Sequence, residues 1–215
     1  MNNKIELCIF DLDGVIVDTA KYHYLAWKEL AKEFSYDLTK EQNEKLKGVN
    51  RVESLKLILQ WAGVTKTEEE QKSLTAKKNK HYVKLIQSLT PDDVFPGVRD
   101  FISELQANDI LTSIGSASKN TRLILDKLEI TDIFDYIVDG TMTVNSKPHP
   151  EVFLKSCEAL GVNPENTIVF EDAPKGIEAA LAGGMRAIGI GDPKELANAN
   201  QVIPGFENFG LKDIF

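Results

Sequence analysis

Ile5-Glu6-Leu7-Cys8-Ile9-Phe10-Asp11-Leu12-Asp13-Gly14 is the stretch on which the rest of the chain turns. A nearly continuous apolar run of this length fits a strand buried on both faces, the kind found inside parallel sheets. The run stops in two carboxylates. In extended backbone, residues two apart point the same way, so Asp11 and Asp13 are expected to line one crevice at the strand's carboxyl end. Gly14 allows the backbone to depart sharply. Ligands of open parallel sheets bind at that end of the strands. Taken alone, the pair reads equally well as an acidic loop that merely stops a strand.

The chain further on favours the crevice. Beyond residue 96, helices and strands alternate: a helix over 98–106, a strand over 110–115, a helix to 128, a strand over 136–138 and a helix to 161. A strand over 167–170, a helix over 174–182 and a strand over 187–190 follow. That alternation predicts an α/β fold with a doubly wound, Rossmann-like parallel sheet. Residues 18–87 read differently, as successive helices with no convincing strand. Leu25, Leu30 and Phe34 form a helical stripe, and Thr39 with Gln42 and Thr67 with Glu70 fit capping boxes. Residues 52–62 are amphipathic and close at Gly63. The expected organisation is a core of residues 1–16 and 88–215, with a small all-helical cap, residues 17–87, inserted after the first strand.

With 215 residues, 42% of them hydrophobic, the chain can bury a substantial core. Its net charge of −8 and pI near 5.0 disfavour non-specific binding to nucleic acid or anionic membrane, and neither partner is expected. Cys8 and Cys157 read as small core residues of a reduced protein and lack metal-ligand spacing. The opening Met-Asn-Asn-Lys has no apolar signal segment, and no run of about 18 apolar residues could span a bilayer. A cytoplasmic protein is therefore expected. With no coiled-coil pattern, a monomer is the default.

Each expected strand end carries chemistry: Asp11 and Asp13, then Ser116, then Lys147 after the third strand, then Glu171 and Asp172. Carboxylates from different strand ends would repel unless a cation joined them, and Mg²⁺ with oxygen ligands is the usual choice beside a phosphate. Asp11, Glu171 and Asp172 are candidate ligands, with the backbone carbonyl of Asp13 as another. Alone, Glu171-Asp172 is also a plain helix N-terminus favoured by the macrodipole. Ser116 and the amides after it could cradle a phosphoryl group, or Ser116 could be an ordinary N-cap. Lys147, before Pro148, could neutralise a transferring oxygen or belong to a solvated loop.

In combination these features resemble the haloacid dehalogenase superfamily. Its motifs are a strand followed by D-x-D-G, a Ser or Thr at the next strand end, a Lys and an acidic pair. Here they are Asp11-Leu12-Asp13-Gly14, Ser116, Lys147 and Glu171-Asp172, in that order and spanning essentially the whole chain. The resemblance implies that Asp11 is the nucleophile and forms an aspartyl-phosphate, with Asp13 as general acid/base. It implies Mg²⁺ on Asp11, the Asp13 carbonyl, Glu171 and Asp172, and Ser116, Ala117 and Lys147 on the transferring phosphoryl group.

Several shorter strings resemble the β-phosphoglucomutase branch of that superfamily. They are Phe10-Asp-Leu-Asp-Gly-Val-Ile16, Asp18-Thr-Ala-Lys-Tyr-His23, Ala26-Trp27-Lys28, Leu46-Lys-Gly-Val-Asn-Arg51, Lys78-Asn79 and Ser116-Ala-Ser-Lys-Asn120. This resemblance implies interconversion of β-glucose 1-phosphate and glucose 6-phosphate through β-glucose 1,6-bisphosphate. A bisphosphate needs a second phosphate site, for which Arg51 suits bidentate recognition. Ser118, Lys119 and Asn120 are implied beside it, and Lys47, Gly48, Val49, Ser54, Lys78 and Asn79 are implied to line the sugar or shape the cap loop. Thr19 and His23, four residues apart, are implied to couple cap closure to Asp13, with His23 near Lys78. Ala173 departs from the Ser of many relatives. A sugar-phosphate phosphatase, or a mutase of another hexose phosphate, would use the same core. A phospho-receiver module would share the acids, the Ser/Thr and the Lys, but needs neither Asp13 nor a cap.

Overall fold

The structure, a computed structural model, describes residues 4–46 and 49–214. In chain order, β1 (Leu7–Phe10) is followed by α1 (Ala20–Lys32), α2 (Lys40–Glu44), α3 (Arg51–Ala62) and α4 (Glu68–Ile86). Then come α5 (Val98–Ala107), β2 (Leu111–Gly115), α6 (Thr121–Lys127), β3 (Tyr136–Val138), α7 (Glu151–Leu160) and β4 (Thr167–Glu171). The chain finishes with α8 (Pro174–Ala182), β5 (Arg186–Ile190) and β6 (Gln201–Ile203). It divides into two compact units, one of Met1–Asp18 with Leu89–Phe215 and one of Thr19–Ser88.

In the first unit, six strands of the described residues form one parallel sheet ordered β3-β2-β1-β4-β5-β6. The strand order reverses between β1 and β4, and crevices of doubly wound sheets open at such a point. β1 lies between β2 and β4, and every residue of it is fully buried, as its unbroken apolar run requires. Alternation sorts its side chains between two layers. Ile9 and Val169 face Val152, Phe153 and Ile177 of α7 and α8. Phe10 and Phe170 point the other way and stack with ring centroids 4.9 Å apart and planes 8° apart, packed against Phe101 and Phe206.

The short edge strand β6 was not expected from the sequence. Three residues with one fully apolar pair, followed at once by Pro204, carry no periodicity of their own. Pairing with β5 supplies what local pattern does not.

The described residues of the second unit form helices joined by loops, without a strand. Trp27, Leu30 and Ala31 of α1 pack with Leu55, Ile58 and Leu59 of α3 and with Leu38 and Leu46. The stripe expected on α1 needs correcting. Leu25 is 48% exposed, and Trp27 takes the place assigned to it. Trp27, Leu30, Ala31 and Phe34 fall at spacings of three and four, whereas Leu25 is five residues from Leu30 and turns away. Both capping boxes form: the hydroxyls of Thr39 and Thr67 accept from the amides of Gln42 and Glu70, whose side chains bond back. Asn50 caps α3 by accepting from the Val52 and Glu53 amides, and Gly63 ends it in the left-handed conformation.

The insert leaves and rejoins the first unit at a closed neck. Val17 bridges Val94, and the Phe95 amide donates to the Ile16 carbonyl at 2.9 Å. No helix of the described residues is long and apolar enough to cross a membrane.

Candidate active site

Register builds the site. Phe10 is paired with Phe170, so the next residues, Asp11 and Glu171, emerge side by side from adjacent strands. The Asp11 amide continues the ladder by donating to the Phe170 carbonyl at 2.9 Å. Asp172 follows, and carboxylate oxygens of Asp11, Glu171 and Asp172 lie within 4.8 Å of one another. Gly14 turns the chain after Asp13 at φ +79°, with its amide on the Val17 carbonyl. The bare Cα lets the turn close on the acidic pair, since a Cβ there would sit 2.2 Å from Oδ2 of Asp172. Asp13 is half-buried and lies outside the three-carboxylate cluster.

Lys147 reaches this cluster from the loop between β3 and α7. Its buried ammonium donates to Oδ1 of Asp11 at 2.7 Å and to Oε2 of Glu171 at 3.1 Å, over the Phe153 ring. Burial works against its charge, but the two carboxylates outweigh burial and hold the ammonium above its ordinary range. Glu171 is pushed well above the carboxylate range by burial and then by Asp11, with Lys147 opposing. Three clustered carboxylates thus face one buried cation. A divalent ion with oxygen ligands would offset the excess negative charge, so the donor set fits Mg²⁺.

Ser116 follows β2 and is anchored by its amide to the Val138 carbonyl at 3.0 Å. Its Oγ accepts the Ser118 amide at 3.1 Å, which leaves the hydroxyl proton free to donate elsewhere. The Ser118 Oγ accepts the Asn120 amide, and its carbonyl accepts from Thr121 and from the Gly140 amide. The loop carrying Ala117, Ser118, Lys119 and Asn120 is therefore held from within and from the end of β3. Lys119 is exposed, and Asn120 is half-buried.

The second unit carries a cationic cluster of its own. Lys78 of α4 is 2% exposed, with its ammonium 2.8 Å from Nδ1 of His23 and over the rings of Trp27 and Tyr82. An ammonium can only donate, so Nδ1 accepts and the ring proton of His23 sits on Nε2. His23 packs on Tyr82 with ring centroids 4.1 Å apart. Burial first, then the charges of Lys78 and Arg51, keep its pKa well below the usual value. Arg51 is half-buried at the start of α3, and burial likewise disfavours its charge.

Thr19 is buried and precedes α1, its carbonyl accepting the Tyr22 and His23 amides. Ser54 gives its hydroxyl to the Asn50 carbonyl at 2.9 Å, so it shapes the start of α3. Val49 and Asn79 are half-buried beside these groups in sequence. Lys47 and Gly48 lie outside the described residues. Asn50 is a structural residue of this segment that sequence reasoning passed over, although an Asn before an amphipathic run is a capping signal.

The depressed His23 pKa sets the sign of a pH effect. The unfolded chain takes up the proton near pH 6.5, while folded His23 resists it, so stability falls as pH drops below about 6.5. Urea unfolding at pH 5.5 and 7.5 should show a smaller acid loss in His23→Gln than in the wild type. Equal losses would remove His23 as a source.

Comparison with known proteins places this site in a family. The sequence model of the haloacid dehalogenase-like hydrolases matches residues 8–190, and the chain belongs to that family. It is 42% identical over 197 residues to the β-phosphoglucomutase of Bacillus subtilis, covering 91% of this chain and 87% of that one. The crystal structure of a β-phosphoglucomutase from Clostridium difficile superimposes with a TM-score of 0.94 at 42% identity, over 98% of this chain and 95% of that one. A phosphorylated-carbohydrate phosphatase of Thermotoga maritima is 28% identical, covering 92% of this chain and 93% of its own length.

Proposed function

We propose that the protein is a Mg²⁺-dependent β-phosphoglucomutase that interconverts β-glucose 1-phosphate and glucose 6-phosphate. The observation that carries this reading is the 42% identity to the Bacillus subtilis enzyme over 197 residues, 91% of this chain. Asp11 is the nucleophile and alternates between free carboxylate and aspartyl-phosphate. In one half-reaction, phospho-Asp11 transfers its phosphoryl group to the sugar 6-hydroxyl while Asp13 accepts that hydroxyl's proton. The product is β-glucose 1,6-bisphosphate. In the other, Asp11 attacks phosphorus at C1 and Asp13 returns the proton to the departing sugar oxygen.

Lys147, the Ser116 hydroxyl and the Ala117 amide hold the transferring group. Asp11, Glu171, Asp172 and the Asp13 carbonyl would hold Mg²⁺, which would supply positive charge against the phosphoryl oxygens. Arg51, Lys119 and Asn120 bind the second phosphate. Ser118, Lys47, Gly48, Val49, Ser54, Lys78 and Asn79 serve the sugar or the segments that contact it. Thr19 and His23 act with Asp13. The work is done by a monomer in the cytoplasm.

The test is to supply β-glucose 1-phosphate, Mg²⁺ and a trace of the bisphosphate, and to assay glucose 6-phosphate and free phosphate separately. Glucose 6-phosphate should dominate. Free phosphate without isomerisation would make the protein a phosphatase like its Thermotoga relative. Arg51→Ala should lower mutase turnover by about 10²-fold or more while changing hydrolysis of a small aryl phosphate only a few-fold, because a lost charge-assisted bidentate contact is worth about 3 kcal/mol. Equal losses would argue against a second phosphate on Arg51.

A further inference from the structure

Gly176 lies in the first turn of α8, five residues after Glu171. Its backbone is ordinary helix and is absent from the positive-φ glycines, so conformation does not explain the residue. Alanine would be the better helix former. Space explains it. A Cβ on Gly176 would stand 2.0 Å from Cδ and Oε1 of Glu171 and 2.3 Å from its Cγ, whereas real Cβ atoms do not come within 3.0 Å of such neighbours. All three nearest atoms belong to that one side chain.

The carboxylate in that space is held by its neighbours. Glu171 is 1% exposed, and its Oε2 accepts from Lys147 at 3.1 Å. Its carboxylate lies within 4.8 Å of those of Asp11 and Asp172. Any side chain at position 176 would push the Glu171 carboxylate by at least about 1 Å, well beyond the ±0.2 Å that metal–ligand distances tolerate. The helix need not move, because the obstructing group is the far end of a flexible side chain.

We propose that Gly176 is a positioning residue whose absent side chain forms the pocket holding the Glu171 carboxylate in line with Asp11 and Asp172. The inference rests on the reading of these three acids as ligands of a divalent cation. Gly14 does the corresponding work for Asp172 from the other motif, but its positive φ mixes backbone strain into any substitution. Gly176 isolates the effect.

The test is Mn²⁺ affinity, read by electron paramagnetic resonance, for wild type, Gly176→Ala, Glu171→Ala and the double variant, with the melting temperature of each metal-free protein. Gly176→Ala should weaken Mn²⁺ at least tenfold while the metal-free protein still melts in one cooperative transition. In the Glu171→Ala background the same change should alter affinity less than twofold, because the methyl enters vacated space. Affinity within twofold of wild type for the single variant, or the same loss in both backgrounds, overturns the inference. If Gly176→Ala does not fold, a folded double variant supports the collision with Glu171, and an unfolded one overturns it. A wild type that binds no Mn²⁺ removes the cation reading and this inference with it; normal wild-type binding with an unaffected variant removes this inference alone.

Discussion

Asp11→Asn is expected to reduce phosphoryl transfer by on the order of 10⁴-fold or more while leaving the metal-free protein as stable as wild type, or more so. An amide cannot form the acyl phosphate, so the chemical loss is nearly complete. The stability expectation comes from charge. Two of the three clustered carboxylates share the Lys147 ammonium, and Lys147 keeps Glu171 as a partner at 3.1 Å when Asp11 is neutralised. Removing one of three like charges within 4.8 Å of one another relieves mutual repulsion. Single-turnover transfer from β-glucose 1-phosphate, read beside a melting curve without metal, separates the two effects. Transfer at a wild-type rate would end the assignment of Asp11 as nucleophile.

Lys147→Ala should act in the opposite direction on stability. Its side chain is 3% exposed, and those of Asp11 and Glu171 are 10% and 1% exposed, so two nearly dry carboxylates lose their common partner. Breaking a buried pair from one side costs about 3–5 kcal/mol. On the role proposed for Lys147, activity should also fall by about 10³-fold, because a cation facing the transferring oxygens is lost. The pH dependence adds a check. Glu171 already has a raised pKa, with Lys147 opposing the rise, so the variant's Glu171 is raised further. Its folded state then binds a proton that the unfolded state has released, and stability increases as pH is lowered toward the unfolded carboxylate value. Lys147→Met keeps an unbranched side chain of similar length without the charge that stands over the Phe153 ring, and should show the same sign. Urea unfolding of metal-free protein at two pH values decides, and a loss under about 1 kcal/mol in both variants would mean that water reaches the carboxylates.

The doubly wound sheet and the acids at its strand ends were legible in the sequence, because Asp11, Glu171 and Asp172 stand where apolar runs stop; Lys147, nine residues past the end of β3, stood out only through the family motif. Their convergence was not legible from spacing. Lys147 and Asp11 are 136 residues apart and meet through strand order and a loop, which no local pattern encodes. The edge strand β6 escaped because three residues owe their conformation to β5. Leu25 lies off the stripe because helical phase separates it from Leu30 by five residues, and Trp27 is the residue in phase. Gly176 escaped for a different reason. A glycine offers no functional group to notice, and its value appears only when the atom it lacks is placed against Glu171.

The neck at Val17–Val94, closed by Phe95 on Ile16, has an evolutionary consequence. A segment that departs and returns at one sealed point is topologically a graft. The sheet's hydrogen bonds, its phenylalanine layer and the ladder that sets Asp11 beside Glu171 are all completed by residues outside Thr19–Ser88. Descent could therefore exchange the grafted helices without re-solving the placement of the acids.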